Sequence, residues 1–417
     1  MDLLSTANAH FGFNLFKELK RIHDGNILFS PVGMSTAIGM VFLGTGGATA
    51  SQLQKVGSFF AAHAQTDFWG QSSKNTETTL SDSALEGQNV GYMFLSSVST
   101  LKEESEEIHQ QFQKFLTEIR KLPDDYELYI ANRLFGEKTY LFLQKYLDYI
   151  EKYYHASLEP VDFINAAEQS RKKINAWVES QTNEKIKDPF SENSLSSSTK
   201  LVLINAIYLK GKWDREFKKE NTKEEEFWLN KSTSKSVLMM AQYNSFSFVF
   251  LEDLQAKIVG IPYKNSDLSM FVLLPNDIDG LEKIIDKLTP EKLVEWTNPR
   301  QMEARNVSLH LPRLEVEDSY DLERVLVAMG LEDIFSQCEA DYLGTCLQSR
   351  LQAQKFLHRS FLEVTEDGTE ATAATGMAFT VSLDSGCEYV HCNHPFLFFI
   401  RHNESNNILF FGRFSSP

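Results

Sequence analysis

The stretch of sequence that says most about the fold lies near the C-terminus. Residues 366–376 read Glu366-Asp367-Gly368-Thr369-Glu370-Ala371-Thr372-Ala373-Ala374-Thr375-Gly376. Ala, Thr and Gly dominate this stretch, bulky side chains are missing, and a strand is predicted immediately before it, over residues 356–365. One interpretation of such a composition is a flexible surface linker.

The alternation of residues in this stretch favours a second interpretation. Successive side chains of an extended strand point to opposite faces. One face would carry Thr369, Ala371, Ala373, Thr375, Met377 and Phe379, whereas the other begins with Glu370 and Thr372. The first face is mostly small and apolar, and the second is polar. We therefore interpret the loop as a latent β-strand, whose small side chains would fit between the strands of an existing sheet.

The rest of the chain indicates an α+β protein with large sheets. The first part is helical in pattern, with Phe11, Leu15 and Leu19 on one face and a second helix from Pro31 to Met40. Further helices are predicted at 146–154, 166–180 and 320–329. Strand patterns dominate after residue 200, and the predicted strands are 201–204, 246–250, 270–274, 307–311, 396–400 and 408–411.

Length and composition limit the class of protein. The chain has 417 residues with 41 Lys plus Arg against 57 Asp plus Glu, a formal net charge of −16. This balance argues against a protein built mainly to bind nucleic acid or an anionic membrane. No apolar stretch reaches the ~20 residues of a membrane span, and the start of the chain lacks a basic, apolar signal peptide. With 4 cysteines, a reduced, intracellular setting is expected.

Domain organisation follows from the absence of a linker. Length alone suggests about two or three domains, but no Pro/Gly-rich linker divides the sequence. We expect a single domain over residues 1–417. Within it, residues 57–107 are rich in Ser, Thr, Gln and Asn and are predicted to be a long, mobile insertion between helices.

Motifs for enzymatic or metal chemistry are weak. No nucleophile elbow and no His-Glu-x-x-His motif occurs. The most metal-like set is Cys387, His391, Cys392 and His394. In an extended chain Cys387 and His391 face one side, whereas Cys392 and His394 face the other, so the four would converge only after a sharp bend. No catalytic activity, no cofactor and no metal are therefore expected.

Several motifs together resemble those of the serpin family. These are Asn26–Pro31, Leu203–Trp213, Glu366–Thr375, Cys392–Ile400 and Phe410–Pro417. The absent signal peptide and the Ser-Ser-Pro ending are similar to the intracellular, ovalbumin-like branch. The resemblance implies one domain of three β-sheets with eight or nine helices and an exposed reactive-centre loop, here residues 366–390.

The resemblance also implies a mechanism. A target protease attacks the loop as a substrate, and the cleaved loop then inserts as a new central strand and distorts the protease. Such a strand forms on the order of ten hydrogen bonds at ~1 kcal/mol each, comparable with the whole stability of a domain. Ser30, Asn205 and His358 correspond to the polar cluster beneath the strands that part, while Trp213 and Glu366 fall where the loop first enters.

The loop residues take their roles from the same resemblance. Gly368 would be the hinge, and the inserting segment would follow it. Counting fourteen residues on places the scissile bond at Ser382–Leu383. Target specificity would rest on Phe379, Thr380 and Val381. The hinge residues implied by the resemblance are Glu366, Gly368, Thr369, Glu370, Ala371, Thr372, Ala373, Ala374 and Thr375.

The sequence leaves three hypotheses for the target protease and the function. The branched apolar Val381 suits papain-like cysteine proteases, and the resemblance points to those of the cathepsin L and K type. The small Ser382 also suits an elastase-like serine protease. A non-inhibitory serpin that acts as a binding protein is the third hypothesis, favoured if Met377 and Phe379 are too large to insert. The expected partner is a target protease in covalent complex, with no nucleic acid and no membrane. A cytoplasmic monomer is expected, and nuclear entry is left open.

Overall fold

Helices come first along the chain and strands dominate later in the computed structural model, which describes residues 3–56, 106–336, 338–346, 351–353, 355–367 and 386–417. The α-helices are α1 (Leu3–Ile22), α2 (Pro31–Phe42), α3 (Gly47–Val56), α4 (106–119), α5 (Gln144–Tyr154), α6 (Phe163–Gln181), α7 (Leu281–Lys287), α8 (Pro290–Trp296) and α9 (Glu323–Ala328). The strands are β1 (Ile27–Phe29), β2 (Tyr126–Glu137), β3 (Leu158–Val161), β4 (Leu201–Gly211), β5 (Lys223–Asn230), β6 (Thr233–Leu251), β7 (Ala256–Pro262), β8 (Leu268–Pro275), β9 (Glu303–Pro312), β10 (Leu314–Asp321), β11 (Lys355–Val364), β12 (Glu388–His391), β13 (Phe396–His402) and β14 (Ile408–Phe414).

Helix α2 lies in the centre of the molecule, because every one of its residues is buried. Its start is determined locally. The Oγ of Ser30 accepts a hydrogen bond from the Gly33 N–H at 3.0 Å, and Pro31 occupies the first helical position, where its missing N–H is not needed. The sequence around Ser30 thus fixes the point at which α2 meets the sheet.

The five-stranded sheet has the strand order β10-β11-β4-β2-β3. β10 pairs with β11 and β2 pairs with β4 in antiparallel fashion, whereas β11 and β4 are parallel. Side chains of β4 alternate between two cores: Leu203 and Ile207 belong to the main core with α1 and α2. Ile204 and Tyr208 belong to a smaller core with α6. The sheet is therefore covered on both faces, which explains the continuous apolar run of β4.

The remaining strands hydrogen-bond as one nine-stranded network, in the order β1-β14-β13-β8-β7-β6-β9-β12 with β5 also on β6. The 19-residue β6 connects two parts of this network. It pairs with β5 over its first part, with β9 over its middle and with β7 near its end. The resemblance implies three separate sheets. Among the described residues, two of these sheets share the strand β6.

The α+β architecture is confirmed, and its nine α-helices in the described ranges agree with the expected number. One predicted helix is too long: Tyr320 and Asp321 end β10, and the helix is only α9, because Tyr320 pairs across the sheet with His358. The insertion predicted at 57–107 lies outside the described residues except for its last two, which begin α4. In the described part of the chain, no helix combines the length and apolarity needed to cross a membrane.

Candidate functional site

The centre of the five-stranded sheet is a parallel pair of strands, which we call the seam. β11 lies beside β4 from Lys355↔Val202 to Glu363↔Lys210. Because the two strands run in the same direction, the chain after β11 leaves the sheet at the end where β4 also ends. A segment that turned back between them would run antiparallel to both. It would replace one parallel ladder by two antiparallel ladders, which are somewhat more stable per residue.

Glu366 lies at the exit of the seam, two residues after β11, and is 6% exposed. Its backbone carbonyl accepts a hydrogen bond from Phe217 N–H at 3.0 Å. Its carboxylate accepts a hydrogen bond from Thr222 Oγ1 at 3.0 Å and lies 4.0 Å from the guanidinium of Arg313. The start of the loop is thus held by specific contacts rather than being a free linker.

Trp213 lies at the same end of the seam, just after β4, and is 1% exposed. Its ring stacks on Tyr263 with the ring centroids 4.3 Å apart. The indole Nε1–H donates to the Thr365 carbonyl at 2.8 Å, and the backbone N–H donates to the Asp367 carbonyl at 3.0 Å. Trp213, named together with Glu366 from the sequence, therefore contacts the residues on either side of Glu366.

A buried polar cluster lies across the seam, close to its middle. Asn205 of β4 and His358 of β11 are direct register partners, and the His358 Nδ1 lies 2.6 Å from the Asn205 Oδ1. The backbone N–H of Ser30 donates to His358 Nε2 at 3.0 Å. The three residues predicted to form this cluster are thus brought together, and they connect both strands of the seam to the start of α2.

The partners of His358 determine its protonation. Because Nε2 accepts a hydrogen bond from a backbone N–H, the proton of the neutral ring is on Nδ1, which donates to Asn205. Burial lowers the pKa of His358 to about 3, below the ordinary value of 6.5. A second proton on the ring would break the hydrogen bond from Ser30, so the cluster is intact only with neutral His358.

We expect acid to destabilise the wild-type protein more than it destabilises the His358→Gln variant. The unfolded chain takes up a proton on this side chain below about pH 6.5, whereas the folded chain does so only near pH 3. The free energy of unfolding therefore falls as the pH drops through this window, by about 2 kcal/mol between pH 7 and pH 5 from this group. Urea unfolding of both proteins at both pH values measures the difference.

The control for this measurement is His10→Gln, because the half-buried His10 pairs with Glu291 outside this cluster. This variant keeps His358 and should lose more stability between pH 7 and pH 5 than the His358→Gln variant does. An equal loss in the wild type and the His358→Gln variant would contradict the assignment of a neutral His358.

Gly33 accounts for the close packing of the cluster. A Cβ atom at this position would lie 2.6 Å from the Asn205 Oδ1 and 2.9 Å from the Ser30 Oγ. The Asn205 amide would have to shift to admit any side chain. Gly33 therefore belongs to the cluster through the space that it leaves.

Sequence reasoning missed several residues of the site. The Nδ2 of Asn205 donates a hydrogen bond to the Oδ1 of Asn132 on β2, and the Ser360 Oγ donates to the Leu28 carbonyl at 2.8 Å. Thr222, which binds Glu366, was also not foreseen. All three are common polar residues, and only the folded chain brings each of them to its partner.

The predicted residues of the loop lie outside the described residues. These are Gly368, Thr369, Glu370, Ala371, Thr372, Ala373, Ala374, Thr375, Phe379, Thr380, Val381, Ser382 and Leu383. The chain is described again from Gly386, shortly before β12. The described ends of the segment are thus the turn at Glu366 and the edge strand β12.

The metal-like sequence set is not brought together in the described part of the chain. Cys387 is exposed and Cys392 is buried. The Nε2 of His394 lies 2.7 Å from the Pro275 carbonyl, and the Nε2 of His391 lies 2.7 Å from Glu225 Oε2. The side chains of His391 and His394 therefore have separate partners.

Comparison with known proteins identifies the family. The model of the family described as "Serpin (serine protease inhibitor)" matches residues 6–417. The chain is a serpin. It is 68% identical to Serpin B13 of Homo sapiens over 417 residues, and 41% identical to the leukocyte elastase inhibitor of Equus caballus over 422 residues, each covering all of both chains. These relatives agree with the expected ovalbumin-like branch.

The serpin fold is also found in a solved structure. The crystal structure of uncleaved ovalbumin superposes with a TM-score of 0.82 at 34% identity, covering 99% of this chain and 100% of that chain. The serpin fold predicted from the motifs is therefore confirmed.

Proposed function

We propose that this serpin inhibits proteases as a suicide substrate cleaved between Ser382 and Leu383. The observation that carries the proposal is the seam: two parallel central strands, with the small-residue segment 368–376 leaving from the end of β11. A returning strand at this place would be antiparallel to both neighbours, which is the arrangement that gives the stronger ladders. The small alternating residues are those that would fit between them.

The chemical step uses the nucleophile of the target protease. Its thiolate or hydroxyl attacks the carbonyl carbon of Ser382, the peptide bond to Leu383 breaks, and the amine of Leu383 leaves with a proton. An acyl-enzyme results, with the protease bound covalently to Ser382. Insertion of residues 369–382 then moves the protease away and distorts its active site before water hydrolyses the acyl bond.

The contacts at the exit of the seam control when insertion begins. The hydrogen bonds to the carbonyls of Glu366 and Asp367 hold the chain at this end. The hydrogen bond from His358 to Asn205 crosses the seam below. Both sets must open before a strand enters, so we assign Trp213, Glu366, Ser30, Asn205 and His358 to control of sheet opening.

The proposed targets are papain-like cysteine proteases of the cathepsin L and K type. Such proteases bind the apolar side chain before the cleaved residue, and Val381 supplies one. An elastase-like serine protease is the second candidate. It is favoured by the small Ser382 and by the 41% identity to a protein named leukocyte elastase inhibitor. The two candidates differ in their dependence on Val381.

The decisive experiment incubates the full chain with cathepsin L and, separately, with an elastase. We expect loss of protease activity and an adduct with the summed mass on an acid-quenched sample, since a thioester is labile at higher pH. A new N-terminus at Leu383 locates the cleavage. Cleavage at this bond with full residual activity of both proteases would sink the proposal and favour the non-inhibitory binding protein.

A pair of loop variants separates the two targets. Val381→Asp should slow inhibition of cathepsin L by about 10-fold or more, because a charged side chain is costly to bury in an apolar pocket. Ser382→Ala leaves a small residue at the cleaved position and is the matched control. Equal slowing of both protease classes by Val381→Asp would contradict the preference for cysteine proteases.

We propose that the inhibitor is a monomer in the cytoplasm. It forms a single domain over residues 1–417, and 57–107 is an insertion that takes no part in inhibition. It has no catalytic activity of its own, and its partner is the protease that it traps. The acidic net charge of −16 supports solubility and argues against nucleic acid as a partner.

A further inference from the structure

A cluster of metal-ligating side chains lies at the edge of the nine-stranded network, away from the seam. It comprises Glu225 of β5, His310 of β9 and His391 of β12, all half-buried. One ligand atom from each side chain lies within 4.8 Å of those of the other two. The cluster is therefore compact enough for one ion to contact all three after small side-chain movements.

The backbone holds these three residues together. His391 and His310 are register partners in the parallel pair of β12 and β9, and the Cys392 N–H donates to the His310 carbonyl at 2.9 Å. β5 is connected to the same place, because the Trp228 N–H donates to the Asn393 carbonyl at 2.7 Å. The cluster thus rests on three strands with fixed spacing, as a preformed binding site requires.

The hydrogen bonding of the two imidazoles is incomplete. Nδ1 of His310 is buried and has no hydrogen-bond partner among the residues that the structure describes, and its Nε2 lies 3.4 Å from the Ser308 Oγ. The rings of His310 and His391 lie 4.9 Å apart between centroids. A buried nitrogen without a partner is costly, and a bound ion is one way to satisfy it.

The environment of His391 also suits a ligand. Its Nδ1 lies 3.2 Å from the Tyr389 hydroxyl, whereas its Nε2 lies 2.7 Å from Glu225 Oε2. A metal-bound histidine commonly uses its other ring nitrogen for such a hydrogen bond, which fixes the ring. Replacing the shared proton by a metal ion would leave Nε2 and the carboxylate as neighbouring ligands.

We propose that Glu225, His310 and His391 bind one Zn²⁺ ion, which clamps β12 to β9 and β5. Two imidazoles and a carboxylate are ordinary zinc ligands at about 2.0–2.2 Å, and a tetrahedral ion with three protein ligands keeps one position for water. The sequence did not predict this site. The metal-like set found there contains only residues close to His391 along the chain, whereas Glu225 and His310 lie on distant strands.

The clamp has a structural consequence. β12 is a four-residue edge strand, and the ladder that the structure describes for it is with β9. It begins shortly after the segment 368–385, so it forms the C-terminal attachment of the loop. An ion on His391 would stabilise this attachment and bind only the folded chain, which raises the stability with ion concentration.

The test uses the full chain with Cys387→Ser, so that this exposed thiol, which lies shortly before His391 in the sequence, does not compete. Titration with Zn²⁺ alone should show one equivalent bound and a rise in Tm. Glu225→Gln, His310→Gln and His391→Gln should each lower the affinity by about 10-fold or more, since even loss of an outer-sphere partner costs about 10–100-fold. His10→Gln, which removes a half-buried histidine that pairs with Glu291 outside the cluster, is the matched control.

Three outcomes would overturn the zinc site: undiminished affinity in all three ligand variants, loss of binding on Cys387→Ser, or equal loss in His10→Gln. Glu225→Gln keeps the test valid if a histidine variant fails to fold. Hydrogen exchange tests the clamp separately from protease inhibition. Zn²⁺ should slow exchange at 388–391 in the parent but not in Glu225→Gln, and unchanged exchange in the parent would overturn the clamp.

Discussion

Replacing Ala373 with arginine is expected to convert the protein from an inhibitor into an ordinary substrate. The Ala373→Arg variant should be cleaved between Ser382 and Leu383 at a rate close to that of the wild type, because the scissile bond is nine residues away. The yield of covalent complex should fall by about 10-fold or more, and the protease should recover its activity.

The physical reason lies in the two faces of the inserting strand. Ala373 is on the face with Thr369, Ala371 and Thr375, which we place toward the buried side of the seam. A guanidinium at this position would lose its hydration without gaining a partner, which costs several kcal/mol. Insertion would slow, and water would then hydrolyse the acyl-enzyme before the protease is distorted.

The matched control is Ala374→Arg, on the neighbouring residue of the opposite, polar face that begins with Glu370 and Thr372. It makes the same change in charge and size one position further on, so it should keep most of the inhibition. If Ala373→Arg formed as much complex as Ala374→Arg, the inward face would be assigned wrongly. If it formed as much as the wild type, inhibition would not need insertion of this part of the loop.

The strands predicted best from the sequence are those with a clear run or alternation of apolar residues. The apolar run 201–204 became the start of β4, and the pattern at 356–365 became β11. β2 was missed, because Asn132 and Arg133 interrupt its apolar pattern. β2 forms a strand because it pairs with β4, some seventy residues further along the chain. Such long-range pairing leaves little signal in the local sequence.

The candidate site also has a part that the sequence predicts and a part that only the folded structure shows. Ser30, Asn205 and His358 could be named from motifs that the chain shares with serpins, but the sequence does not say which ring nitrogen of His358 accepts a hydrogen bond. That followed from the backbone N–H of Ser30, on an element 328 residues away. Glu225 and His310 were not connected with His391 for the same reason, since their strands meet only in the folded sheet.

Cleavage of the loop alone, without capture of a protease, is expected to raise the Tm. A released segment 369–382 could enter the seam and form on the order of ten hydrogen bonds at about 1 kcal/mol each. For a chain of 417 residues the entropy of unfolding is about 0.9 kcal/mol per kelvin. The hydrogen bonds alone therefore correspond to a rise of about 10 °C, and burial of the apolar face adds to it.

The experiment nicks the chain with a catalytic amount of protease, checks by mass that only the loop is cut, and follows unfolding by calorimetry. Ala373→Arg, nicked in the same way, should show little or no rise, because its segment is held outside the sheet. Ala374→Arg should rise like the wild type. A nicked wild type that unfolds at the temperature of the intact protein would mean that the parallel ladder of β4 and β11 is as stable as the two antiparallel ladders, and the seam would then supply no driving force for inhibition.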